Sequence, residues 1–184
     1  MNITRFSSHT ICDIRQRCEA ASPPPWTPYV ERRDHVGCND FIAARGGVIA
    51  DLNFRDIDEG TIDFIARARE DIPWLLGLYD RITDPNRGDP RAECEALIAS
   101  RLKQVRAALH GAMPPPWHWD EKYGMQLGTF FYEVVVKVGD ERTFVIVADR
   151  EEDREFALHA HADVEALLET LEPKGGADSS APDR

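Results

Sequence analysis

The sequence has few of the features that mark membrane, secreted or metal-binding proteins. No stretch approaches the roughly 18–20 consecutive apolar residues of a membrane helix. Residues 1–12 contain one arginine and no apolar run, so we expect neither a membrane span nor a secretory signal. The four cysteines include no Cys-x-x-Cys pair, and no histidine spacing completes a zinc site. We therefore expect a cytoplasmic protein with free thiols, no structural metal and no cofactor.

Basic residues are also scarce relative to acidic ones. The 22 basic and 33 acidic residues give a net charge of −11, which argues against non-specific binding to nucleic acid. Only four of the cations are lysines, and the other 18 are arginines. A GC-rich genome explains this bias without any function. The functional explanation would be recognition of planar anions, which the guanidinium group binds better than an ammonium group does.

The chain contains enough apolar material for a core, because 42% of its 184 residues are hydrophobic and 30% are charged. This composition excludes a disordered or collagen-like chain. The length corresponds to one domain of ordinary size or to two small ones.

A proline-rich segment divides the chain into two similar parts. Residues 22–26, Ser-Pro-Pro-Pro-Trp, recur as Met-Pro-Pro-Pro-Trp at 113–117, 91 positions later. Helical patterns ending in small residues precede both segments. Downstream, residues 64–76 align with 156–168 at an offset of 92, with Phe and Leu-Leu at matching positions. The repeated order of these features indicates an internal duplication.

Each copy predicts a helix, three strands and a helical end. In copy one we predict a helix over 10–21, strands over 26–32, 40–44 and 48–52, and helices over 62–69 and 72–82, capped by Thr61 and Asp71. In copy two we predict a helix over 91–111, strands over 117–123, 129–138 and 142–148, and a helix over 151–171 that could break at Asp163. The resulting units are repeat one (10–82), a linker (83–90), repeat two (91–172) and a disordered tail (173–184).

These elements predict an α+β fold with antiparallel strands flanked by helices. A copy of about 70 residues buries little core by itself, so we expect the two copies to pair around a pseudo-two-fold axis. The apolar positions of the later helices should face inward: Phe64, Ile65, Ala68, Ile72, Leu75 and Leu76, and Phe156, Ala160, Val164, Leu167 and Leu168.

Copy one resembles a known but uncharacterised protein family. Its pattern is Trp26, a short β segment, then Phe64-Ile65-Ala66-x-Ala68-Arg69-x-Asp71-Ile72-Pro73-x-Leu75-Leu76. This resembles phage, prophage and actinobacterial proteins that read Pro-x-Trp and then Phe-Ile-Ala-x-Ala-Arg-x-Asp-Val-Pro-x-Leu-Leu. Copy two departs from the pattern at Ala157, His161 and Glu165. The resemblance implies a mobile-element setting in a bacterial host, where small two-copy proteins counter host defences, some as sponges for cyclic nucleotide signals.

Two cationic or cationisable residues precede an aspartate in both copies. Arg67 and Arg69 occupy these positions in copy one, and His159 and His161 occupy them in copy two. Together they could offer hydrogen-bond donors to a phosphate or carboxylate. The competing interpretation is that Arg67 is solvated and Arg69 pairs with a neighbouring carboxylate.

Trp26 and Trp117 follow the two proline segments. Each tryptophan could pin a helix to the sheet within the core. Alternatively, the pair could form aromatic walls around a planar ligand such as a nucleobase.

The pattern His159-x-His161-x-Asp163 imitates a metallohydrolase motif. Residues two apart point away from each other on a helix, and copy one has arginine, which does not ligate metals, at both histidine positions. No Gly-x-Ser-x-Gly nucleophile motif or phosphate-binding glycine loop is present. We therefore predict neither catalytic residues nor metal ligands.

Three functional hypotheses follow. The first is a non-enzymatic binding protein for a small anionic or nucleotide-like ligand, with two related half-sites. The second is an acidic interaction protein that inhibits a host protein, and the third is a metal-dependent hydrolase. A second copy of the chain is a further candidate partner.

Overall fold

The computed structural model describes residues 8–36, 39–45, 47–53, 57–84, 91–112, 117–126, 129–138, 142–148 and 150–171. The elements are α1 (Ser8–Ala20), β1 (Thr27–Tyr29), β2 (Asp40–Ala44), β3 (Gly47–Asn53), α2 (Glu59–Thr83), α3 (Arg91–Gly111), β4 (Trp117–Gln126), β5 (Thr129–Val138), β6 (Arg142–Ala148) and α4 (Glu151–Leu171). The fold is therefore mixed α+β, as predicted. Among the helices described, none combines the length and apolar character that a membrane crossing requires.

The six strands form one antiparallel sheet with the order β1-β2-β3-β6-β5-β4. Each half of the chain supplies three consecutive strands, and β3 pairs with β6 where the halves meet. The predicted hairpin of β2 and β3 is confirmed, and Gly47 has a φ of 139°, which favours glycine. The edge strand β1 is shorter than predicted; it contains Pro28, which has no N–H to donate to a ladder.

The helices pack against one another and against the sheet. The pair α2 and α4 lies at the centre, with α2 contacting β1 and β2 and α4 contacting β3 and β6. The helices α1 and α3 each contact both of these central helices. All eleven positions predicted to face inward are buried, which confirms the helical periodicity of α2 and α4.

Two predicted helix breaks are wrong. A single helix, α2, runs past Asp71 and Pro73, and α4 continues past Asp163. A proline inside a helix costs about 3 kcal/mol relative to alanine. Here its neighbours Ile72 and Leu75 are completely buried, and the energy of that packing keeps the helix continuous.

The N-terminus of α2 also differs from the prediction. Asp58, not Thr61, is the N-cap, and its Oδ1 accepts a hydrogen bond of 2.7 Å from the backbone N–H of Thr61. The Thr61 hydroxyl adds a second donor to the same oxygen at 2.9 Å.

Several predictions concern residues that the structure does not describe. These are linker residues 85–90, the tail 173–184 and the glycine-containing turns at Gly46 and Gly139. Cys12 and Cys18 are free thiols, exposed and buried respectively.

Candidate ligand-binding groove

Arg69 holds the backbone that follows α1. The Nε of Arg69 donates to the carbonyl oxygen of Ser22 at 2.8 Å, and its Nη2 donates to that of Ala21 at 3.3 Å. Only 6% of Arg69 is exposed. The structure therefore places this predicted ligand-binding residue inside the core, where its donors serve the backbone.

Trp26 belongs to the same buried cluster. Its indole N–H donates to the carbonyl oxygen of Ser22 at 3.0 Å, and its ring meets that of Phe156 edge-on at 5.0 Å between centroids. These contacts agree with the interpretation of Trp26 as a core residue. The side chain of Trp117 lies outside the described part of the structure.

The side chains of His159, His161 and Asp163 contact different neighbours. His161 is buried with its ring 5.7 Å from that of Phe64. Asp163 accepts two hydrogen bonds from Arg17, at 3.1 Å and 2.5 Å, which tie α4 to α1. His161 therefore packs against an aromatic ring, and the carboxylate of Asp163 is engaged by a guanidinium group, so the expected three-ligand arrangement is not formed. Within the residues described, no three His, Cys, Asp or Glu side chains are grouped as metal ligands.

Both histidines favour the neutral form. Burial lowers the pKa of His161, and His110 lowers it further. Burial also lowers the pKa of His159, as does Arg17, against the opposing carboxylates of Asp163 and Glu155. Neutral imidazoles are weak partners for anions, so neither histidine is suited to anion binding near neutral pH.

The fourth member of the predicted set, Arg67, lines an open groove between α2 and α3. This α2–α3 groove has a volume of about 700 Å³. Its walls include Arg67, Arg81, Arg101, Trp74, Glu70 and Asp71. Of the four cationic or cationisable residues predicted to bind ligand, Arg67 is the one that faces this groove.

A buried carboxylate organises the cations of the α2–α3 groove. Asp71 is largely buried, with Arg101 Nη2 at 3.5 Å from its Oδ1 and Arg67 Nε at 4.0 Å from its Oδ2. Burial raises the pKa of Asp71, while the two guanidinium groups oppose that rise. Both arginine side chains are half-exposed, and a guanidinium group carries five N–H donors.

Aromatic and cationic groups meet in this groove. The Cζ atom of Arg101 lies 4.6 Å from the centroid of the Trp74 ring. Arg81, one turn beyond Gly77 on α2, donates its Nε to the carbonyl oxygen of that residue at 3.2 Å. The groove can therefore provide charge-assisted hydrogen bonds and a flat apolar surface at one place.

A second, smaller cavity of about 340 Å³ lies between α1 and α4. Acidic residues dominate its walls: Asp13, Glu151, Glu152 and Glu155. Arg17, which also lines it, is already paired with Asp163. We call it the acidic cavity, and its charge is opposite to that of the α2–α3 groove.

Trp74, Arg81 and Arg101, which line the groove, were not among the residues predicted from the sequence. Positions 67, 71 and 74 follow helical spacing, so a continuous α2 would have placed Arg67, Asp71 and Trp74 on one face. The predicted helix break at 71 hid that signal. No local signal identifies Arg101, because α3 meets α2 only through tertiary packing.

No protein-family model, curated protein or solved structure matches this chain.

Proposed function

We propose that this chain is a non-enzymatic binding protein that holds a small anionic, nucleotide-like ligand in the α2–α3 groove. The observation that carries the proposal is the presence of three arginines, Arg67, Arg81 and Arg101, around one cavity of about 700 Å³. Cavities that bind small molecules have volumes of about 300–1,000 Å³.

The charge in the groove favours an anion. The chain as a whole carries −11, yet this groove brings three guanidinium groups to two carboxylates. Asp71 is the more buried of the two acids, and it forms ion pairs with both Arg67 and Arg101. Guanidinium groups bind phosphate and carboxylate oxygens through paired N–H donors.

The resemblance to phage and prophage proteins suggests a setting for this binding. We place the chain in a bacterial host, where it would sequester a nucleotide-like immune signal instead of converting it. A protein that only sequesters its ligand needs affinity and no catalytic group, and the arginines and tryptophan of the groove can supply that affinity.

We further propose that the chain arose by duplication of a unit of a helix, three strands and a helix. Three observations support this: the order of elements repeats, the sheet joins the halves at β3 and β6, and corresponding core positions are buried. Ile14, for example, corresponds to Val105 at the offset of 91.

Contacts between helix ends repeat in the same way. At the start of α4, Asp153 accepts hydrogen bonds from the backbone N–H and the hydroxyl of Ser22, just after α1. At the start of α2, Gly60 packs on the end of α3 so closely that a Cβ would lie 2.5 Å from the carbonyl oxygen of Gly111. Each later helix thus begins at the end of the other copy's first helix.

The acidic cavity favours the alternative function, a protein–protein interaction that inhibits a host protein. Its four carboxylates could face a basic patch on a partner. The third hypothesis is a hydrolase built on His159, His161 and Asp163. It has no such support, because the carboxylate of Asp163 is hydrogen-bonded to Arg17 and His161 is buried.

Thermal shift against cyclic and linear nucleotides tests the proposed function. A ligand at 100 times its Kd should stabilise the fold by about 2.7 kcal/mol. Arg67→Ala should remove most of that shift, whereas Lys103→Ala, an exposed change on α3 outside the groove, should retain it. An absence of any shift would contradict the proposal. A host-protein complex that Glu152→Lys then abolishes would favour the alternative.

A further inference from the structure

Arg101 covers the ring of Trp74 in the α2–α3 groove. The guanidinium of Arg101 lies over that ring at 4.6 Å, so a residue of α3 covers the aromatic surface contributed by α2. Guanidinium groups and nucleobases are both flat, and both stack on indole rings. The guanidinium therefore occupies the place that a planar ligand would take.

The cover is loosely held. The ion pair between Arg101 Nη2 and Asp71 Oδ1 is 3.5 Å long, beyond the usual range for a strong charge-assisted hydrogen bond. The Arg101 side chain is 41% exposed, whereas that of Asp71 is 8% exposed. A fixed carboxylate thus keeps a movable guanidinium within reach of both Trp74 and the open groove.

We infer that a planar ring displaces Arg101 from Trp74, and that Arg101 then turns to the anionic group of the same ligand. This inference rests on the proposed function and specifies its ligand class, an aromatic ring joined to a phosphate, as in a nucleoside monophosphate. The exchange moves one side chain and leaves the helices in place. The exchange couples the binding of the ring to the binding of the phosphate. The ring can stack on Trp74 once the phosphate has bound Arg101 away from it.

Removing the cover should affect the two parts of the ligand in opposite directions. In Arg101→Ala the ring of Trp74 is open, so uncharged adenosine should bind more tightly than to the wild type. The same change removes a phosphate donor, so inorganic phosphate should bind more weakly. A residue with only a structural role would weaken both.

The experiment is titration calorimetry of the full chain with adenosine, AMP and inorganic phosphate. Trp74→Leu should weaken the binding of AMP by about 5- to 150-fold, which corresponds to the loss of one stacking contact worth about 1–3 kcal/mol. The same change should leave the affinity for phosphate unchanged. Lys103→Ala is the control for α3 and should bind all three ligands like the wild type. Thermal melting of each variant checks that it is folded.

The outcomes separate the inference from the proposed function. Tighter adenosine and weaker phosphate binding by Arg101→Ala support the exchange. If the wild type binds phosphate and AMP equally and Trp74→Leu alters neither, the exchange is wrong, while anion binding stands. If wild type and Arg101→Ala bind none of the three ligands, both proposals are overturned.

Discussion

The Cζ atom of Arg69, on α2, lies 5.4 Å from the centroid of the Phe156 ring, on α4. In a second contact the two helices exchange roles, since α4 supplies the basic residue and α2 the phenylalanine: the ring of His161 lies 5.7 Å from that of Phe64. The two cationisable residues are 92 positions apart, as are the two phenylalanines. This reciprocity supports the proposed duplication and explains the burial of Arg69 and His161.

Arg69→Ala should lower the free energy of unfolding by about 1.5–3 kcal/mol, the value of hydrogen bonds that involve a charged group. The change removes the guanidinium donor to the carbonyl group of Ala21 and one of the two donors to that of Ser22, which keeps the Trp26 indole N–H. The control is Arg67→Ala, whose side chain is half-exposed and which should change stability by less than about 0.5 kcal/mol. Urea denaturation measures both. Equal effects of the two substitutions would refute a structural role for the hydrogen bonds of Arg69.

Leu75→Ala and Leu167→Ala should each cost about 2–5 kcal/mol, since both side chains are completely buried at corresponding positions of α2 and α4. Leu97→Ala is the matched control, because Leu97 is 71% exposed. Chemical denaturation would show whether the two helices contribute alike. A cost below about half a kcal/mol at either leucine would place that position on the surface.

Stability should fall as the pH falls below about 6.5, the ordinary pKa of histidine. Burial lowers the pKa of His161 in the folded protein, so the unfolded chain binds a proton at a higher pH than the folded protein does. Protonation therefore favours the unfolded state and lowers the free energy of unfolding. The contribution is fully present above pH 6.5 and is lost on acidification through the folded-state pKa. In His161→Leu this loss should be absent, although His159 remains.

The measurement is the difference in unfolding free energy between wild type and His161→Leu at several values between pH 8 and pH 5. The difference should shift in favour of the variant as the pH falls. A difference independent of pH would mean that His161 does not change its pKa on folding.

One ligand should bind per chain, even though both halves of the chain have the same order of helices and strands. Arg67 lines the α2–α3 groove, but its counterpart His159 contacts Glu155, and the α1–α4 cavity is acidic. Calorimetry with a cyclic mononucleotide should therefore give a stoichiometry of one. Two equivalent sites would show that the halves bind alike and would contradict the assignment of one groove.

The binding of that cyclic nucleotide should also be nearly independent of pH between 8 and 5.5. His159 and His161 would strengthen anion binding on protonation if they contacted the ligand, but neither histidine lines the groove. Because burial lowers the pKa of both histidines, they also carry less positive charge for an anion in this pH range.

Sequence patterns predicted the secondary structure closely because they depend on local spacing. A segment rich in Phe, Tyr and Val, followed by the turn residues Gly139 and Asp140, predicted β5 and β6. Apolar residues at helical spacing predicted α3 and the buried faces of α2 and α4. The prediction failed at Pro73, where a local helix-breaking signal competes with burial on both sides.

The sequence by itself determined the order of helices and strands, the residues that face inward and the acidic character of the chain. Tertiary structure alone decided which cations remain accessible. Arg67 and Arg69 are two positions apart and identical in chemistry, yet Arg67 lines the groove and Arg69 is buried against the backbone that follows α1. The reason is physical: apolar burial follows a local period, whereas the role of a charged group depends on partners from helices distant in sequence.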